Sequence, residues 1–200
     1  MGLDYLSFQI QTDQAEKIAK DLYQIDGKAY SLPGELDFNF RIKTKTESYI
    51  LKISRPDEEV NYIEFQHELL NHVSNNNNKI DVPKTFPDRH GNFISDIIDA
   101  TGTVRKVRLL SWIEGRLWSS VNPIKDNLLF SLGEEAGKIT KALQGFEHPK
   151  AHREFEWDVA QAEWTYEHIN LFSENQQKIA KHFQNQYKCI QDEYQLLRKG

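Results

Sequence analysis

Residues 49–54 read Tyr-Ile-Leu-Lys-Ile-Ser, a short run that places one lysine inside an otherwise apolar strand. Because neighbouring side chains of a strand point to opposite faces, Leu51 and Ile53 are predicted on one face and Lys52 on the other. An ammonium group on a covered sheet face is costly unless an anion or another partner meets it. The alternative is an edge strand, in which Lys52 lies in water and limits aggregation.

Upstream of this strand the sequence has the same period of two from residue 28 onward, which adds a first strand before residue 32. Phe38, Phe40 and Ile42 alternate with polar residues, which is typical of a half-buried strand. A polar turn at 44–47 joins the two runs into a predicted hairpin. Before the hairpin, a helix is predicted over 13–26, with a capping box formed by Asp13 and Glu16 and with a stop at Gly27.

Downstream, apolar periodicity predicts a helix over 58–73, and alternation predicts strands near 92–99 and 103–113. A turn at Asp-Ala-Thr-Gly, residues 99–102, joins those two strands. After Gly115 the pattern is helical, with helices over about 125–144 and from a capping pattern at Ser173 onward.

These elements predict an α+β fold: a protein-kinase-like lobe followed by the first helices of an α-helical lobe. The lobe has a five-stranded antiparallel sheet with one packed helix, plus an N-terminal helix. The order of the elements resembles that of protein kinases, and this resemblance implies an N-terminal helix at 1–27, a nucleotide-binding lobe at 28–115 that ends at a hinge, and a partial helical lobe at 116–200.

Composition excludes several partners. The net charge of -5 and the absence of clustered Lys and Arg argue against a nucleic-acid partner. The sequence contains no run of eighteen apolar residues, so no membrane span is predicted. The single cysteine, Cys189, cannot form an internal disulfide, so a cytoplasmic location is expected. The seven histidines show no metal-ligand spacing, and no metal site is predicted.

Six stretches, spread over roughly residues 30–160, carry a resemblance to a known family. In order they are Leu-Pro-Gly-Glu-Leu-Asp-Phe-Asn-Phe at 32–40, Tyr-Ile-Leu-Lys-Ile at 49–53, Ile-Glu-Phe-Gln at 63–66, Val-Arg-Leu-Leu-Ser-Trp-Ile-Glu-Gly at 107–115, Gly-Phe-Glu-His-Pro at 145–149, and His-Arg-Glu-Phe-Glu-Trp-Asp at 152–158. Together they resemble the aminoglycoside phosphotransferase and choline kinase superfamily. The closest resemblance is to hydroxylysine-kinase-like phosphotransferases, some of which are fused to class III aminotransferases.

The resemblance implies a nucleotide-binding role for two segments. Lys52 would contact the ATP phosphates, as the third-strand lysine does in kinases. The turn at 32–40 would close over the phosphates through backbone amides and the Asn39 side chain. Gly34 is its single glycine, so an ordinary hairpin turn is the alternative.

The resemblance also implies a hinge. Leu110, Ser111 and Trp112 would present backbone N–H and C=O groups to the adenine edge. Backbone groups suit this task because adenine offers a donor beside an acceptor. Packing of Trp112 in the core is an equally open alternative.

The helix at 58–73 supplies the expected partner of Lys52. At about 100° per residue, Gln66 lies near the centre of the apolar face, whereas Glu64 and Glu68 lie opposite. Gln66 is therefore predicted to meet Lys52 where related kinases carry a glutamate. A glutamine could orient the lysine but would not balance its charge. A kinked helix would bring Glu64 or Glu68 into play instead.

Residues 1–200 contain no His-Gly-Asp segment followed by an asparagine, which the superfamily uses for catalysis and metal binding. The predicted function is thus the ATP-binding portion of a small-molecule kinase, inactive alone, whose parent phosphorylates a hydroxyl of a hydroxylysine-like amino compound. Its expected partners are ATP, Mg²⁺ bound by downstream ligands, the amino substrate and the rest of its own polypeptide. The alternative is a non-catalytic kinase-like module of a larger protein, such as an aminotransferase fusion.

Overall fold

The computed structural model describes residues 9–76, 80–152 and 158–197, so residues 153–157 of the last matched stretch lie outside the described residues. The chain divides into two compact units, with the division between Phe146 and Glu147. The elements of the first unit are α1 (Thr12–Tyr23), β1 (Lys28–Leu32), β2 (Phe38–Lys43), β3 (Ser48–Ile53), α2 (Val60–Asn75), β4 (Thr85–Phe86), β5 (Ser95–Ile98), β6 (Val104–Ser111), a 3-10 turn (Trp118–Ser120) and α3 (Asp126–Ala142).

One antiparallel sheet organises the first unit. Its order is β1-β2-β3-β6-β4, and β5 also pairs with β6. Thr85 of β4 lies opposite Leu110, and Ser95 of β5 lies opposite Val107, so the two short strands share one edge of β6. The predicted α+β fold is confirmed, with six strands because the last sheet position is divided between β4 and β5.

The core lies on the face of the sheet that packs against α1. Alternation places the apolar side chains of β2, β3 and β6 on this face, as the sequence predicts for Leu51 and Ile53. Each of the large residues involved is almost completely buried against Ala15 and Ala19 of α1. The sheet residues of this core are Phe40, Ile42, Leu51, Ile53, Val107 and Leu109.

The ends of α1 differ from the predicted caps. At the start, the backbone N–H of Gln11 donates to Oε1 of Gln14 at 2.8 Å, so the predicted pair of Asp13 and Glu16 is not the cap. Glu16 instead accepts from the N–H of Ala29 at 3.1 Å and ties the helix to β1. The helix ends at Tyr23 because Gln24 adopts a left-handed conformation with φ 58°.

Two buried carboxylates close turns beside the core. Asp88 accepts from the N–H groups of His90 and Asn92 at 2.8 and 2.9 Å, which makes residues 88–91 a turn. Asp99 accepts from the N–H groups of Thr101 and Thr103 in the turn that the sequence predicts before β6. Both carboxylates are therefore held by turn backbone.

The second unit contains a 3-10 turn (Pro149–Ala151), a 3-10 segment (Val159–Leu171) and the long helix α4 (Glu174–Leu197). The N–H of Ser173 donates to Oε1 of Gln176 at 3.0 Å, which confirms the predicted cap. Tyr166 donates through its hydroxyl to the backbone carbonyl of Gln184 at 3.4 Å, so the segment lies along the helix. In the described part of the chain, no helix is both long and apolar enough to cross a membrane.

Candidate functional site

The candidate site lies on the face of the sheet opposite the α1 core. Strand register places Asn39 of β2 directly opposite Lys52 of β3, and Lys52 directly opposite Arg108 of β6. Because directly paired residues share a face, these three side chains form one polar row across the centre of the sheet. The prediction that Lys52 faces away from the core is confirmed, and β3 is flanked by β2 and β6, so Lys52 is not on an edge strand.

Lys52 forms an ion pair with Asp37. Its Nζ lies 3.4 Å from Oδ2 of Asp37, and the two side chains are 29% and 19% exposed. Asp37 belongs to the turn between β1 and β2, not to a helix. The turn therefore supplies the carboxylate that related kinases take from the helix.

Arg108 lies beside this pair and is more deeply buried, with 11% of its side chain exposed. Its Nη2 donates to Oε1 of Gln66 at 2.6 Å and lies 3.9 Å from Oδ2 of Asp37. Burial lowers the pKa of Arg108, and the nearby charges of Asp37 and Glu58 oppose that effect. Asp37 therefore lies within 4 Å of both cations of the site.

The predicted contact between Gln66 and Lys52 needs correction. Gln66 reaches the sheet from α2, as the helical wheel predicts, but its side-chain carbonyl accepts from Arg108. Glu64 and Glu68 are exposed. Lys52 and Gln66 thus bind different partners, since Lys52 pairs with Asp37 and Gln66 accepts from Arg108.

The side chain of Asn39 hydrogen-bonds to the backbone of the turn at residues 33–37. The Nδ2 of Asn39 donates to the backbone carbonyls of Pro33 and Asp37, each at 3.3 Å. A Cβ atom at Gly34 would lie 2.3 Å from Nδ2 of Asn39 and from the carbonyl oxygen of Asp37. The glycine therefore permits this packing of Asn39, which differs from the predicted contact of the Asn39 side chain with phosphate.

The predicted hinge is the end of β6. The N–H of Ser111 donates to the carbonyl of Lys84 at 2.8 Å, and the N–H of Trp112 donates to the carbonyl of Ser48 at 3.2 Å. Leu110 lies within β6, opposite Ile50. The N–H groups of Ser111 and Trp112 are thus occupied by neighbouring segments, which differs from the predicted hinge in which they are free to meet an adenine edge.

Trp112 is only partly buried, and it is not part of the core on the α1 face. The guanidinium carbon of Arg41 lies 4.2 Å from the centre of its ring, and Arg41 also donates to Glu114 at 3.1 Å. The indole Nε1 is buried without a hydrogen-bond partner in the part of the chain that the structure describes. Trp112 therefore packs beneath a cation at the end of the polar face.

Asp37 and Arg108 are the residues that the sequence reasoning misses. Asp37 stands inside the turn sequence, and Arg108 stands in a strand with apolar neighbours, in the same pattern as Lys52. That shared pattern is the signal that could have identified Arg108. Among the described residues, no group of three or more His, Cys, Asp or Glu side chains could hold a metal ion.

Three solved structures are similar to this chain, at identities that show only the fold. The amicoumacin kinase in complex with AMP-PNP, Ca²⁺ and Ami aligns with a TM-score of 0.60 and 18% identity, over 93% of this chain and 54% of that one. The microcompartment-associated aminopropanol kinase has a TM-score of 0.57 and 18% identity, over 74% and 45%. Spectinomycin phosphotransferase in complex with ADP and spectinomycin has a TM-score of 0.55 and 14% identity, over 91% and 55%.

The chain spans about half the length of these three structures. No curated protein matches it. The shared architecture defines a kinase-like fold, with a sheet lobe followed by helices. The model of the phosphotransferase enzyme family matches residues 30–198, and the chain belongs to that family. The resemblance to the aminoglycoside phosphotransferase superfamily is thereby confirmed.

Proposed function

We propose that this chain is the ATP-binding portion of a small-molecule kinase. The observation that carries the proposal is Lys52, half-buried on the polar face of the sheet and paired with a carboxylate of the β1–β2 turn. A partly desolvated lysine on the central strand of a kinase-like lobe is suited to contact a phosphate oxygen. Membership of the phosphotransferase enzyme family supports the same role.

The backbone on either side of Lys52 supports one orientation of the bound nucleotide. Ser111 and Trp112 end β6 at one side of the polar row, and the turn at residues 33–37 lies at the other. We propose that adenine contacts the backbone beyond Trp112 and that the phosphates extend toward Lys52 and the turn. We propose that Mg²⁺ takes its ligands from other parts of the protein.

We further propose that the active protein includes additional polypeptide. The chain spans about half of each similar kinase, and several large apolar side chains of α3 are exposed, including Phe130 at 71%. The acceptor in that longer protein would be a hydroxyl of an amino compound, with hydroxylysine as the first candidate. A cytoplasmic location is part of the proposal. A non-catalytic module, such as part of an aminotransferase fusion, is the competing function.

Calorimetric titration of the 200-residue chain with ATP and Mg²⁺ tests the central part of the proposal. We expect binding at millimolar concentration or tighter, weakened at least about tenfold by Lys52→Ala because one charge-assisted contact is lost. Lys106→Ala is the matched control, since Lys106 lies on a neighbouring strand and pairs with Asp96 at 2.7 Å. No heat of binding and no nucleotide-dependent rise in melting temperature would contradict nucleotide binding by this chain.

The parent protein tests the remainder of the proposal. If the sequence after Gly200 encodes His-Gly-Asp with its asparagine, we expect that the longer protein transfers the γ-phosphate of ATP to hydroxylysine or a related amino alcohol. Transfer is measured by mass spectrometry of the acceptor. A longer protein that binds ATP but phosphorylates none of these compounds would favour the non-catalytic module.

A further inference from the structure

We propose that Arg108 is a second phosphate-binding cation and that Asp37 is an internal counter-ion, which an incoming phosphate displaces from Lys52 and Arg108. The inference rests on the proposed function, because it concerns the same polar face of the sheet. It assigns a ligand-directed role to two residues of the described chain and predicts that the β1–β2 turn moves when an anion binds.

The first argument is charge balance. Lys52 and Arg108 are directly opposite each other on neighbouring antiparallel strands, so their Cβ atoms are about 5 Å apart. Like charges in such a pair repel, and only 29% of the Lys52 side chain and 11% of the Arg108 side chain are exposed. The carboxylate of Asp37 lies at 3.4 and 3.9 Å from the two cations, and that of Glu58, which also acts on Arg108, is itself paired with Arg55 at 3.0 Å. A phosphate group carries more negative charge and more acceptor oxygens than the Asp37 carboxylate, so it suits the pair better.

The second argument is the identity of the residue on α2. Gln66 carries no charge, but its carbonyl fixes the Arg108 guanidinium through a 2.6 Å hydrogen bond. A glutamate at this position would neutralise Arg108 and reduce its attraction for an anion. The neutral amide therefore orients the arginine and keeps its charge available, which makes Gln66 a positioning residue for Arg108.

The third argument is that Asp37 can move. It is attached to a turn whose residues 33–36 are exposed, whereas the buried core begins at Phe40. Its side chain is partly exposed, so its ion pairs compete with water. We therefore expect displacement of the carboxylate to rearrange the turn, without exposing the core residues of β2.

The test uses inorganic tripolyphosphate and ATP as separate probes, each titrated into the 200-residue chain by calorimetry. Asp37→Asn removes the competing charge, and we expect roughly fivefold tighter tripolyphosphate binding. Arg108→Gln should weaken it roughly tenfold or more, and Arg108→Lys should recover part of the loss because the charge is restored. Asp96→Asn is the control, since it removes an exposed carboxylate that pairs with Lys106.

Gln66→Glu provides a test that does not depend on a destabilising change. If Gln66 positions Arg108, the new carboxylate neutralises the arginine, and tripolyphosphate binding weakens. If Gln66 instead serves Lys52 as the glutamate of related kinases does, the substitution strengthens binding or leaves it unchanged, and the inference is overturned. Circular dichroism and melting temperature establish that each variant is folded.

Amide hydrogen exchange supplies a second measurement on the unchanged protein. Tripolyphosphate should alter exchange at residues 34–39, because the turn rearranges when Asp37 leaves its partners. Unaltered exchange there, with bound tripolyphosphate, would overturn the displacement of Asp37. ATP binding that needs Lys52 but is insensitive to Asp37→Asn and Arg108→Gln overturns this inference alone. If tripolyphosphate binding responds to the three substitutions as predicted, but ATP binds no more tightly than tripolyphosphate, the nucleotide proposal alone is overturned.

Discussion

Arg105 and Arg108 are three residues apart on β6, on opposite faces of the same sheet, and both are largely buried. The side chain of Arg105 is 5% exposed and forms a hydrogen-bonded ion pair with Asp99, whose side chain is 2% exposed. Arg108 relies on a neutral glutamine and on a carboxylate 3.9 Å away that it shares with Lys52. The first arrangement satisfies a structural arginine, and the second leaves positive charge for an external anion.

The largest expected effect concerns the structural arginine. Arg105→Met should lower the free energy of unfolding by about 3 kcal/mol, because it leaves the buried carboxylate of Asp99 without its cation. Arg108→Met should cost less, about 1 kcal/mol, since Arg108 has a weaker set of partners. Urea denaturation followed by circular dichroism measures both. Equal losses at the two positions would remove the distinction between the faces.

Acid should lower the free energy of unfolding through the carboxylates that are held on the α1 side of the sheet. Burial opposes ionisation of Asp88, but hydrogen bonds from Asn92, His90 and Ser95 outweigh it and lower the pKa to about 2. Since the folded pKa lies below the unfolded one, the unfolded chain binds more protons in acid. The stabilisation, about 2 kcal/mol, is complete above about pH 4 and is lost as pH falls toward 2.

Asp88→Asn removes this contribution and should flatten the stability profile between about pH 4 and 2 relative to the unchanged protein. Urea denaturation at several pH values measures the profile. Asp96→Asn serves as the control because Asp96 is exposed. A profile of Asp88→Asn that retains the full acid dependence would show that Asp88 is not held as described.

A smaller effect should appear at the turn of the polar face. Gly34→Ala places a Cβ atom 2.3 Å from Nδ2 of Asn39, so the turn must shift, at a cost of about 1 to 2 kcal/mol. Gly115→Ala is a matched control, because no atom lies within 4 Å of the place that its Cβ would take. Thermal melting compares the two variants. A Gly34→Ala protein as stable as Gly115→Ala would contradict the described packing of Asn39.

The smallest effect is expected at the end of the polar face. Arg41→Gln removes the guanidinium that lies over the ring of Trp112, which should cost less than about 1 kcal/mol. It should still change the fluorescence of Trp112, measured as the difference from a Trp112→Phe protein. Arg116→Gln, at an exposed position, is the control. An unchanged Trp112 signal would show that the stacking is not formed in solution.

The sequence predicts local features of the site better than long-range ones. Alternation within residues 49–54 is enough to separate Lys52 from Leu51, and the period of α2 is enough to direct Gln66 toward the sheet. The contact partners of Lys52 and Gln66 are not predictable from these local patterns. The register between β3 and β6 places Arg108 beside Lys52, more than fifty positions away, and the hydrogen bond between Arg108 and Gln66 spans 42 positions.

The turns show the same boundary between local and long-range information. The turn before β6 is predictable because Asp99 and Gly102 carry the turn chemistry themselves, and Gly102 has φ 84°. The end of α1 is not predictable in this way, because Gln24 adopts the left-handed conformation that a glycine usually adopts. Gly27 lies against β2 instead, where a Cβ atom would be 2.8 Å from the carbonyl oxygen of Lys43.

The central claim is that the phosphates of ATP bind beside Lys52 on the polar face. An acyl-phosphate derivative of ATP, which acylates lysines near its phosphates, tests this claim directly when the labelled residues are mapped by mass spectrometry. The account predicts that Lys52 is labelled in preference to exposed lysines such as Lys138 and that excess ATP protects it. Labelling of Lys52 that is no greater than that of Lys138, or that ATP does not reduce, would contradict it.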